Sequence, residues 1–146
     1  MNETSVDTTA ARCVNFTGVS AGTKYPSTFS ENGFEFRSSS EVQYVKRSHL
    51  GNGLEYLPRS GFTIVIDPPS KKVTLSTSAR SDLLLFSAFD QSGNLVASQS
   101  VEKGPDVRQV ELVGKEIARV TVEAKEGDAD EEFLFTICAD WISTLA

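Results

Sequence analysis

The residues able to carry chemistry are few in this chain. His49 is its only histidine, in the run Ser48-His49-Leu50-Gly51. One imidazole cannot build a multi-histidine zinc site. A serine nucleophile would need His49 as its base, yet no G-x-S-x-G elbow presents a serine. A small hydrolase using His49 is therefore the weakest functional reading. No Walker or Rossmann glycine loop occurs, which removes the usual phosphate cradles. Cys13 and Cys138 stand near opposite ends of the chain, with nothing to place His49 beside either, so neither reads as a nucleophile. The expectation is a protein that is not an enzyme.

Two other chemistries remain. Calcium takes oxygen ligands from loops. In Glu126-Gly127-Asp128-Ala129-Asp130-Glu131-Glu132, alternation aims Asp128 and Asp130 the same way. The competing reading is a charged hairpin tip that keeps a sheet edge from aggregating. A sugar site wants an aromatic face for the apolar side of a pyranose and polar groups for its hydroxyls. Tyr44, Arg47 and His49, followed by Tyr56 and Arg59, make one such group; Lys24, Tyr25 and Phe29 make a second. Tyrosines also serve as amphipathic rims over a core. Trp141, the single tryptophan, reads as a plug at the end of the core rather than a stacking platform. Asn2-Glu3-Thr4 and Asn15-Phe16-Thr17 are glycosylation sequons, a triplet that also arises by chance.

The elements that must position these groups read as short strands. The clearest is a hairpin: Leu83 to Phe89 and Leu95 to Val101 flank Asp90-Gln91-Ser92-Gly93-Asn94, a knot of turn formers. Its successive apolar positions suggest central strands covered on both faces. Arg12 to Phe16, Phe34 to Arg37, Glu41 to Arg47, Phe62 to Ile66, Val73 to Thr77, Arg108 to Val113, Ile117 to Glu123 and Phe133 to Cys138 complete the set. Thr17 to Ser30 and His49 to Pro58 read as loops, and 1–11 as a tail that is disordered or loosely docked. No 3.6-residue period is sustained, so the fold class is all-β, an antiparallel two-sheet sandwich or a barrel.

The chain of 146 residues is one domain, here 12–146 after the tail. At that length roughly two-thirds of the unfolded surface is buried, enough for a core without metal or disulfide. A net charge of −6 argues against nucleic acid and anionic membranes. No apolar run approaches the ~20 residues of a membrane span. Cys13 and Cys138 lie in the first and last strands, which are neighbours in many sandwiches. A bridge between them is one reading, with a loop-closure stabilisation of roughly 4–5 kcal/mol. Two buried thiols packed as small hydrophobes are the other.

The order of parts resembles a known family. Gly61-Phe62 with Ile64 and Ile66 leads to Pro68-Pro69, then Val73 with Leu75. Phe89-Asp90-Gln91-Ser92-Gly93-Asn94-Leu95, Val110-Glu111-Leu112, Ile117 to Val122 and Phe135 to Asp140 follow. This pattern, over residues 12 to 140, resembles the galactose-binding-like β-sandwich jelly roll of many carbohydrate-binding modules. The resemblance implies a lectin-like binding module, with a glycan or cell-surface polysaccharide as partner. It implies a structural calcium, to which Asp140 and early-loop carbonyls would contribute. It also implies a secreted or cell-surface protein; the opening residues, MNETSVDTTAAR, are polar and hold no leader, so one is expected outside this sequence. The alternative function is a structural or protein-interaction domain, such as an adhesin, coat or appendage subunit, with self-association.

Overall fold

A computed structural model describes residues 9–56, 62–79, 83–124 and 132–142. Among them are nine strands: β1 (Thr9–Asn15), β2 (Lys24–Glu31), β3 (Phe34–Ser48), β4 (Gly51–Tyr56), β5 (Phe62–Ala79), β6 (Leu84–Phe89), β7 (Leu95–Val101), β8 (Gly104–Ala124) and β9 (Glu132–Ile142). A 3-10 turn, Phe16–Gly18, follows β1. None of the described residues forms a helix long and apolar enough to cross a membrane.

The architecture is an antiparallel β-sandwich of jelly-roll type. Its first layer runs β2–β3–β5–β8–β6–β7, through the register pairs Glu31↔Phe34, Phe36↔Ile64, Ile64↔Val120, Val120↔Ala88 and Ala88↔Ala97. The second runs β2–β3–β4–β9–β5–β8, through Lys24↔Tyr44, Val45↔Leu54, Leu54↔Leu134, Leu75↔Ile137 and Leu75↔Val110. β1 lies along the C-terminal half of β9. β3, β5 and β8 are long enough to serve both layers, and the β3–β4–β9–β5 pairings close into a ring. Phe34, Phe36, Ile64, Ile66, Phe86 and Val120 from one layer meet Leu54, Leu75, Leu112 and Ile137 from the other. Each such side chain contributes roughly 1.5–3 kcal/mol by burial.

Several boundaries differ from the sequence reading. Phe62–Ile66 and Val73–Thr77 are one strand, as are Arg108–Val113 and Ile117–Glu123. The breaks are local: Pro68 and Pro69 lack the N–H a ladder needs, and Glu116 takes a left-handed φ of 48°. Lys24–Glu31 and Gly51–Tyr56 are strands rather than loops. In β2, Tyr25 and Phe29 turn inward beside Phe16 and Phe36, an alternation masked by Pro26 and its polar neighbours. Proline is tolerated there because β2 pairs only with β3 and forms an edge. β1 begins at Thr9, earlier than expected. The hairpin is as expected at its turn, but only β6 is covered by neighbours on both sides; β7 is an edge strand and Leu95 is 59% exposed.

Where the long strands bend, polar side chains replace ladder bonds. Buried Gln43 donates through Nε2 to the carbonyls of Pro26 (3.2 Å), Ser27 (2.9 Å) and Phe36 (3.2 Å), beside the β2 bulge. Buried Arg12 donates to the carbonyls of Asp67 (2.7 Å) and Pro68 and lies over the Phe34 ring. Ser70 Oγ donates to the Lys72 and Asp140 carbonyls, each at 3.0 Å. Cys13 and Cys138 are directly opposed in register and bridged, on the side of the sheet away from the core.

Two outcomes follow for stability. Gln43→Leu strands three carbonyls and lowers the unfolding free energy by about 1–3 kcal/mol in urea titrations. Removing the bridge with Cys13→Ser and Cys138→Ser lowers it by about 2–5 kcal/mol, and thiol titration of unfolded, unreduced wild type finds no reactive thiol.

Candidate functional site

Strand alternation sends every second residue of the first layer outward. Since Phe34, Phe36, Ile64, Ile66, Val120 and Val122 point into the core, Glu35, Arg37, Thr63, Val65, Arg119 and Thr121 point to solvent. Register aligns them in two rows across the strands. One row is Ser30, Glu35, Val65, Arg119 and Phe89. The other is Thr28, Arg37, Thr63, Thr121, Ser87 and Ser98. At ~4.8 Å between strands, the five-strand row spans roughly 19 Å.

Two adjoining depressions occupy this face. The larger, about 460 Å³, is bounded by Arg37, Val65, Asp67, Pro69, Ala118 and Arg119, with Asp90 and Gln91 of the hairpin tip on its rim. The smaller, about 280 Å³, shares Val65 and Asp67 and extends to Ser30 and Glu35. Together they make a groove across the strands. Its polar groups are only partly engaged by the protein. Glu35 accepts from Arg37 Nε and Nη2. The Arg119 guanidinium lies 4.6 Å from the centroid of the Phe89 ring, its one recorded interaction among the described residues. Beside the groove, in the second row, the hydroxyls of Thr63 and Thr121 make no hydrogen bond among the described residues, and Ser87 is buried.

On the outward face of the second layer several polar side chains are paired with each other. Lys72 meets Glu111 at 3.1 Å and Lys46 meets Glu55 at 3.0 Å. Ser76 Oγ donates to Gln109 at 3.0 Å. The side of β9 turned from the core carries Phe133 and Phe135 over Gly53, where an added Cβ would lie 2.8 Å from the Phe135 ring.

The residues singled out from sequence fall in several places. Tyr44 is half-buried on the second layer's outer face, with Lys46 Nζ 6.0 Å from its ring centroid. Arg47 has the opposite strand parity and is exposed, and His49, in the β3–β4 turn, sits with Nε2 3.3 Å from the Pro105 carbonyl. The structure does not bring these three to one face. Tyr25 stacks on Phe29, with ring centroids 4.1 Å apart, as a rim of the core. Burial raises its pKa, with Glu31 adding to the effect. The side chains of Tyr56 and Trp141 lie outside the described residues, as do Arg59, Asp128 and Asp130. Asp140 stands within β9 rather than beyond it, paired with Ala11. Among the described residues, no three His, Cys, Asp or Glu side chains converge as a metal site.

Sequence reading missed Glu35, Arg37, Thr63, Arg119 and Thr121 as a group. Each alternates with a core residue, so outward orientation was visible; the register joining β3, β5, β8 and β6 was not.

The fold has counterparts among solved structures. A family 29 carbohydrate-binding module from Piromyces equi superposes with a TM-score of 0.56, at 10% identity over 90% of each chain. A point mutant of a second family 29 module gives 0.52, at 5% identity over 91% of this chain and 86% of the other. The chain has the fold of a carbohydrate-binding module. An arabinose-bound α-L-arabinofuranosidase also matches, with a TM-score of 0.50 at 15% identity over 90% of this chain, which spans only 26% of that enzyme. No protein-family model and no curated protein matches the sequence.

The hairpin tip on the groove rim is built around Asp90. Its Oδ1 accepts from the backbone N–H groups of Ser92 and Asn94, each at 2.9 Å. These bonds hold the Asp90 pKa below its ordinary value, the Asn94 backbone contributing most, with desolvation opposing. A depressed folded pKa stabilises the tip above the unfolded value near 3.9, and that contribution is lost as pH falls through the lower folded value. NMR titration of the Asp90 carboxyl carbon is expected to give a midpoint below that of an ordinary aspartate, with Asn94 amide shifts moving in step.

Proposed function

We propose that this chain is a non-catalytic carbohydrate-binding module that receives its glycan in the first-layer groove. The observation that carries the reading is the groove on the first layer's outer face, where Arg37, Arg119, Asp67, Gln91 and Val65 converge and where Arg119 has no ion-pair partner among the described residues. The shared fold supports the reading, although fold alone does not fix function. Sugars offer hydroxyls that both donate and accept, and their C–H faces rest on apolar surface. Arg37 and Arg119 supply donors, Asp67 and Gln91 supply acceptors, and Val65 supplies an apolar floor. The Cys13–Cys138 bridge suits a protein that works in an oxidising compartment, secreted or on a cell surface.

A glycan-array screen tests this, followed by titration calorimetry on the strongest ligand. Thr63→Trp fills the middle of the second row and is expected to weaken binding by at least about tenfold, a loss of ~1.4 kcal/mol. Lys72→Ala, on the opposite face, is expected to leave affinity unchanged. Loss of binding with Lys72→Ala but not with Thr63→Trp would place the ligand elsewhere.

A further inference from the structure

The charges around the groove are not equally engaged. Glu35 is paired with Arg37 at 2.8 Å. The Asp90 carboxylate is held by the N–H groups of its own turn. Asp67 lies beside the buried Arg12 guanidinium, which binds its carbonyl at 2.7 Å and whose pKa it raises against the lowering effect of burial. Each groove carboxylate thus has a counter-group nearby. Arg119 has none: no carboxylate among the described residues lies within ion-pair distance of it.

Arg119 is also oriented. Its guanidinium rests against Phe89, its cross-strand partner on β6, and this contact limits the rotamers of a long side chain. Phe89 is the one aromatic residue in either row, and the guanidinium over it occupies the surface on which a sugar ring would stack. What the groove offers at this point is therefore a planar, charged fork of N–H donors. That fork matches a carboxylate in a bidentate arrangement, with stronger bonds than neutral hydroxyls make.

We infer that the groove selects acidic glycans, with the carboxylate of a uronate residue seated on Arg119 and the neighbouring hydroxyls on Arg37, Asp67 and Gln91. The inference rests on the carbohydrate-binding reading and specifies its ligand class. It makes Arg119 the residue that separates acidic from neutral sugars.

The test uses the whole chain and matched ligand pairs: oligomers of galacturonate, alginate and hyaluronan, each beside its carboxyl-reduced counterpart. Calorimetry at low salt is expected to show at least one acidic oligomer binding about tenfold or more tightly than its reduced form. The ratio should fall as salt rises. Arg119→Gln should bring the ratio to about one without changing the melting temperature, and Arg119→Lys should leave an intermediate ratio, since it keeps the charge but loses the fork. Equal binding of acidic and reduced forms, or a preference that survives Arg119→Gln, overturns the acidic-ligand inference and leaves a neutral-glycan module standing. Absence of binding to every glycan, acidic or neutral, overturns both.

Discussion

The constraint on which the rest of this fold depends is that its three longest strands must each serve two layers. β3, β5 and β8 run 15, 18 and 21 residues, far beyond a usual strand of ~5–6. Such a strand has to bend, and at each bend the inter-strand ladder is interrupted. A buried backbone carbonyl left without a partner costs roughly 1–3 kcal/mol, so the interruptions need substitutes. Gln43 supplies them at the β2–β3 bulge and Arg12 at the proline kink of β5. Thr77 Oγ1 donates to the Phe133 carbonyl, and Ser78 Oγ accepts from the Phe133 N–H, at the start of β9. Gln99 does the same at the edge of β8, donating to the Gln109 carbonyl and accepting from the Glu111 N–H. Arg12, Gln43, Thr77 and Ser78 look like buried polar anomalies in isolation. Together they are what lets the ladder turn corners.

Arg12 illustrates how one such substitute ties distant parts together. It belongs to β1, which is joined to β9 by register pairing and by the Cys13–Cys138 bridge. Its guanidinium reaches the Asp67 and Pro68 carbonyls at the β5 kink and passes over Phe34. Gly33 makes room for it: a side chain there would lie 2.8 Å from the Asp67 carbonyl, and the backbone φ of 87° already favours glycine. The kink that Arg12 braces is also one wall of the groove, through Asp67 and Pro69. The bridge and the groove are therefore linked through a single cation, although the disulfide itself lies on the opposite side of the sandwich.

How much of this was legible beforehand follows from what a sequence encodes locally. The fold class was legible, because strands announce themselves by alternation, as in Phe34-Glu35-Phe36-Arg37, and turns by Gly and Asn, as in Asp90 to Asn94. The continuity of β5 was not, since Pro68-Pro69 is read as a stop although the strand resumes beyond it. β2 was hidden because its inward residues, Tyr25 and Phe29, are separated by polar ones. The site was the least legible part. Aromatic and basic residues close in sequence, such as Tyr44 and Arg47, point to opposite faces of a strand when they are an odd number of positions apart, here three. Residues as far apart as Glu35 and Arg119 share a row only because β5 lies between them with Val65 in register.

The contact between Arg119 and Phe89 bears on what kind of recognition this face can perform. An exposed aromatic ring binds sugars mainly through their C–H surface, which most pyranoses share. A ring covered by a guanidinium gives up that general affinity. In exchange it holds a long, flexible side chain in one plane, lowering the entropy lost when the ligand binds. The hydroxyl row beside it is also on strands rather than loops, so its spacing is fixed by the sheet. A face of this kind gains little from any one contact and depends on several fitting at once. On the proposed reading its selectivity comes from the positions of donors and acceptors, and the position with most weight is Arg119, which has no carboxylate within ion-pair distance among the described residues.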